Sequence, residues 1–174
     1  MVPPGGRRRG AEFGVLGPEL LTDPLAFLSA EHLRQGALLA HLERLARHPQ
    51  ARGARALAAA LMEWLAVELP RHMADEERSL HARLEPYDTE GLLLRLREDH
   101  VDEREAAKAL IADLRAIAAH HSPGPGFAAL ARRFASGFRA HLATEEAEVT
   151  PLARRVLSAE ILTQIAAELA ARRA

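Results

Sequence analysis

The chain has 174 residues, enough for one domain, and its 27% charged residues nearly cancel to a formal net charge of −1. That balance offers nucleic acid no global basic field. There is no cysteine, which excludes disulfides, thiolate metal sites and cysteine-held iron–sulfur clusters, so any metal must be held by imidazole and carboxylate.

Residues 1–20 are read as a disordered tail, and residues 21–174 as one folded unit. The Arg7–Arg9 triplet lacks the apolar run that an export signal needs behind it, and no stretch reaches the roughly 18 apolar residues of a membrane span. A cytoplasmic protein that touches neither membrane nor nucleic acid is the expectation. Asp23-Pro24 is an N-cap and first-turn signal, and the first helix should run to about His48, with Leu25, Leu28, Leu39, Leu42 and Ala46 on its apolar stripe. His32 lies on the same stripe. A second helix is predicted over about 52–84, striped by Leu61, Leu65, Leu69, Leu80 and Leu84, with His72 and Glu76 in line. Pro70 inside it should kink the helix and free the carbonyl near Ala66.

Asp88 can cap a third helix that runs to about His121, striped by Leu93, Leu96, Ala107, Leu110, Ile111 and Leu114 with His100 among them. Ser122-Pro-Gly-Pro-Gly126 breaks the chain. A fourth helix follows, with Phe134, Phe138, Val149 and Leu152 on the face of His141 and Glu145, and Pro151 interrupts it near its end. Ser158 can cap a short terminal helix reaching about Arg172. Aromatics are 4% of the chain and no strand signal competes. Four long helices with short connections predict an all-α, up-down-up-down four-helix bundle.

One pattern occurs twice. Glu31-His32 is followed by His72-x-x-x-Glu76-Glu77, and Asp99-His100 by His141-x-x-x-Glu145-Glu146, at nearly one spacing. Residues four apart share a helix face, so His72 with Glu76, and His141 with Glu145, can enter one interior. His32 and His100 come from the other two helices. Two buried carboxylates facing each other without a cation would cost several kcal/mol. Imidazole plus carboxylate suits iron, with manganese and zinc as competitors. Glu77 and Glu146 fall about 100° off the stripe and are read as solvated, as are His41, His48, His81, His120 and His121. Gln35 and Glu103, each three residues after a first histidine, are candidates for supporting the ligands or lining an entry path.

These motifs, together with Leu69-Pro70-Arg71-His72, resemble the hemerythrin-like, or HHE, cation-binding family over roughly residues 21–169. The resemblance implies two non-haem iron ions held by His32, His72, Glu76, His100, His141 and Glu145. Arg104 stands where oxygen-carrying hemerythrin has a fifth histidine, and His141-x-x-x-Glu145 stands in place of His-x-x-x-x-Asp. The four-histidine, two-glutamate set is closer to bacterial proteins implicated in repairing iron centres. With arginine unable to ligate, both ions should keep open positions. The function expected is a di-iron protein that binds or reduces nitric oxide, oxygen or peroxide, served by an unidentified electron donor. The alternative is a module that binds, donates or senses iron without catalysis.

Overall fold

The computed structural model describes residue 14 and residues 16–174. The tail expected at residues 1–20 therefore lies largely outside the described residues. Its last part enters a 3-10 turn, Pro18–Thr22. All regular elements among the described residues are helical.

Helix α1 spans Pro24–Arg47. The Asp23 carboxylate accepts from the amides of Leu25 and Ala26 at 3.0 Å, and Pro24 occupies the position where an amide would have no partner. Helix α2 covers residues 54–84 and enters through Gly53 at φ +85°, a left-handed conformation that glycine adopts without strain. Helix α3 spans Leu92–Ala118, with Asp88 accepting from Leu92 and Leu93 at 2.9 and 2.8 Å. Helix α4 covers residues 127–156, and α5 spans Ala159–Ala171 behind a Ser158 cap on Ile161.

Pro70 does not break α2. A π turn, Trp64–Glu68, precedes it, and the amide of Leu69 reaches back five residues to the Trp64 carbonyl. The wider turn absorbs both the missing amide and the ring that would strike the Ala66 carbonyl. Pro151 is absorbed in the same way by a π turn at Glu145–Val149, where Thr150 bonds back to Glu145. A third π turn, Glu76–His81, has no proline to explain it. The kink expected at Pro70 is thus a re-phased helix that continues.

Helix α1 packs against α4 and α2, α2 against α3, and α3 against α4. Helix α5 lies across α1, the Pro18–Thr22 turn and the Glu76–His81 turn. The core divides into two apolar clusters. One holds Leu38, Leu42, Leu61, Trp64, Leu110 and Phe138. The other holds Leu25, Leu28, Leu84, Leu93, Val149 and Ile165. On each of α1 to α4 the candidate ligands fall between residues of one cluster and residues of the other. The polar side chains thus form a layer with apolar packing on both sides.

Candidate metal centre

Each helix contributes at the level of that layer. His32 comes from α1, His72 and Glu76 from α2, His100 from α3, and His141 and Glu145 from α4. All six side chains are at most 6% exposed. They form two overlapping groups, His32–His72–Glu76–Glu145 and Glu76–His100–His141–Glu145, within each of which ligand atoms lie within 4.8 Å of one another.

The two carboxylates span the groups. Glu76 Oε1 faces His32 Nε2 at 3.1 Å and His72 Nε2 at 3.0 Å, while its Oε2 is 3.4 Å from His100 Nε2. Glu145 turns Oε2 to His32 Nε2 at 3.3 Å and Oε1 to His141 Nε2 at 3.4 Å. Each glutamate therefore sends one oxygen to either side. The His100 and His141 Nε2 atoms stand 3.1 Å apart, aimed at common space.

The outward ring nitrogens explain the rest of the repeated motif. His32 Nδ1 donates to Glu146 at 2.6 Å, His72 Nδ1 to Glu31 at 3.0 Å and His100 Nδ1 to Glu77 at 2.8 Å. His141 Nδ1 faces Asp99 at 3.6 Å and Glu103 at 3.7 Å, too far for a hydrogen bond. A carboxylate behind Nδ1 fixes the tautomer that leaves Nε2 free to ligate. Helical phase alone predicts that Glu77 and Glu146 are solvated. Glu146 is indeed exposed, whereas Glu77 is only partly so, and each holds a histidine of the opposite hairpin. Both lie on π turns that begin at Glu76 and Glu145, where the 3.6-residue phase no longer applies. The guanidinium of Arg104 donates to Glu77 at 2.6 Å, so it steadies the carboxylate behind His100.

Charge is balanced closely in this layer. Burial opposes the imidazolium of His32, yet the carboxylates of Glu146 and Glu76 outweigh it and hold its pKa up at about 9. Burial opposes that of His141 too, and Glu145 holds it up at about 9. Burial pushes Glu76 and Glu145 upward, but the surrounding histidines prevail and hold both below the usual carboxylate range. Glu103 goes the other way: burial pushes it up to about 8.

The largest departure from expectation is His81. Read from the sequence as a surface residue, it is 0% exposed, and its Nε2 lies 3.5 Å from Glu145 Oε1. It follows Glu76 by five residues, out of phase in an α-helix and in phase across the π turn Glu76–His81. No local signal marks that turn in the sequence. Gln35 and Glu103 are buried, as support for the ligands requires, whereas His48, His120 and His121 are exposed. A groove of about 570 Å³ between α3 and α4 reaches Glu103 and His141, with Phe134, Gly137 and Phe138 on its wall.

The donor set fits a cation. Glu76 Oε2, both oxygens of Glu145 and His72 Nε2 are buried without a hydrogen bond, whereas buried polar groups in folded proteins are ordinarily paired. Two of these atoms face the His32–His72 group and two face the His100–His141 group, so cations on the two sides of the layer would satisfy them, and an all-nitrogen-and-oxygen set suits a divalent first-row metal. No helix among the described residues is long and apolar enough to cross a membrane. A family model described as the hemerythrin HHE cation binding domain matches residues 23–153. Neither a curated protein nor a solved structure matches the chain.

Proposed function

The chain belongs to the hemerythrin HHE cation-binding domain family, and on that premise we propose that it holds two non-haem iron ions and binds or reduces a small molecule: nitric oxide, oxygen or peroxide. The observation that carries this is the splitting of each buried glutamate between two histidine groups. One ion needs no such bridge; two adjacent ions do. Iron at such a centre would supply electrons and open coordination positions to the small molecule.

The chain's own residues do the rest. Glu31, Glu77 and Glu146 orient the imidazoles, and the apolar clusters above and below exclude bulk water. The groove beside Glu103 gives small molecules a route to the α3–α4 side of the layer. An up-down-up-down arrangement is supported by the order in which the helices cross the layer. Helices α1 and α3 enter from the Leu28–Leu93 cluster, whereas α2 and α4 enter from the Leu61–Phe138 cluster. The four-histidine, two-glutamate set favours a role in the response to nitrosative or oxidative stress, with an electron donor still to be identified.

Anaerobic reduced protein, mixed with nitric oxide, oxygen or peroxide, tests this directly. Turnover or a discrete adduct supports the proposal. Elemental analysis giving a single tightly held zinc, or no spectral response to any of the three, refutes it and leaves iron storage or sensing as the better reading.

A further inference from the structure

His81 is the buried polar side chain that the six-residue set leaves unexplained. It is 0% exposed, and neither of its ring nitrogens makes a hydrogen bond. Burying an imidazole with two idle nitrogens is unfavourable, because each loses its hydrogen bonds to water without a replacement. The residue five after Glu145, its counterpart in the second hairpin, is Thr150, so His81 is no by-product of the repeat.

Its surroundings point to one side of the centre. Nε2 lies 3.5 Å from Glu145 Oε1, the oxygen that also stands 3.4 Å from His141 Nε2. Its ring runs parallel to that of His100, within 8°, at 6.3 Å between centres. Two imidazoles bound to one ion through bonds of about 2.1 Å have ring centres no more than roughly 6.5 Å apart. The ring separation thus permits His81 and His100 on one ion, and His81 and His141 share Glu145 Oε1 as a neighbour. His81 stands just outside the Glu76–His100–His141–Glu145 group, and no hydrogen-bond partner among the described residues competes for its Nε2.

We propose that His81 is a fifth imidazole ligand, bound through Nε2 to the ion shared by His100, His141, Glu76 Oε2 and Glu145 Oε1. This rests on the two-ion reading above and sharpens it. The ion on the His100 side then has five protein ligands and its neighbour beside His32 and His72 has four. The sequence expectation of open positions on both ions, drawn from Arg104, gives way to an unequal pair. The ion on the His32 side would then keep one more open position than the ion that the groove beside Glu103 and His141 approaches. The π turn Glu76–His81 is what delivers the extra ring, because an uninterrupted α-helix would point it elsewhere.

Cobalt(II) is the probe, since it shifts the proton signals of the histidines bound to it. Full-length wild type, loaded with cobalt and labelled at histidine nitrogen, is expected to show five shifted imidazole N–H signals. His81→Gln should show four, with its helical content unchanged. Wild type with four signals, none lost in His81→Gln, overturns the proposal. If the glutamine variant fails to fold, the wild-type count alone decides. Cobalt content separates the two claims. Two ions with four signals removes His81 alone. One ion per chain breaks the two-ion reading, and the presence or absence of the His81 signal on that ion still decides the ligand.

Discussion

The two halves of the centre arise from one repeated pattern, yet they are not held alike. On the His32–His72 side both outward nitrogens have carboxylates at 2.6 and 3.0 Å, and Glu31 is itself gripped by Arg173 at 3.2 Å. On the His100–His141 side, His100 is held at 2.8 Å, but His141 has only Asp99 and Glu103, at 3.6 and 3.7 Å, and a groove opens behind it. That same side gains His81. A near-symmetric sequence thus builds one half braced by its surroundings and one half more open and richer in nitrogen. Equal motifs do not make equal halves; the neighbours of the motif set the difference.

The comparison breaks most completely at the carboxylates common to both halves. Glu76→Gln and Glu145→Gln should each lower the content from about two metal ions per chain to one or fewer, because a neutral amide is a poor bridge between cations. Mass spectrometry of the purified variants measures this. Content equal to wild type in both would show that neither oxygen pair bridges.

Removing the metal should cost both halves together. An ion that binds only the folded chain stabilises it by about 4 kcal/mol when free metal is 1,000 times the dissociation constant. For a chain of this size that is a fall of roughly 10 °C in Tm on chelation. A melting curve that ignores chelator would contradict the placement of four buried, unbonded ligand atoms at the centre.

The stability of the metal-free protein should also fall as pH rises. His32 and His141 titrate at about 9 when folded, against about 6.5 in an unfolded chain. Their contribution is complete below the lower value and is lost as pH climbs to the higher. Glu103, raised to about 8, acts in the same direction between its unfolded value of 4.5 and that pH, because ionising it in the folded chain is disfavoured. Each group contributes up to about 1.4 kcal/mol per pH unit inside its window. Metal requires unprotonated nitrogen, so the loaded protein should stay level or gain over pH 6.5–9. Thermal melts of both forms across that range test the sign.

The smallest expected effect sharpens the contrast between the halves. Glu146→Gln removes the negative charge from the acceptor 2.6 Å behind His32 and should weaken metal binding by roughly 10-fold. Asp99→Asn alters a 3.6 Å approach to His141 and should change affinity by no more than about threefold. Competition titration with a chromophoric chelator reads both. Equal losses would mean that the two halves are braced alike.

Much of this could be read from the chain. Leucine spacing and the caps at Asp23, Asp88 and Ser158 located the helices to within a few residues, since burial and capping are local demands. The six candidate ligands were visible because a four-residue step keeps two side chains on one α-helical face. What stayed hidden has one cause. The π turns at Glu76–His81 and Glu145–Val149 change the angular step, so Glu77, Glu146 and His81 reach partners that α-helical phasing denies them. Proline hinted at two of the three π turns, and nothing local hinted at the one that buries His81.

The crossed bracing has a consequence for how this chain can be cut. Glu77 of the first hairpin holds His100 of the second, and Glu146 of the second holds His32 of the first. The first hairpin alone carries the carboxylate for its second histidine, Glu31 behind His72, but none for His32. Set against a copy of itself, turned by half a rotation, it would both give and receive the missing brace, and the contact would be self-complementary. The 174-residue chain is in this sense an isologous pair written end to end, with the short stretch between Leu84 and Leu92 as its tether. Severing that tether should leave two pieces that reassociate into a metal-binding centre, while either piece alone has no complete half to offer.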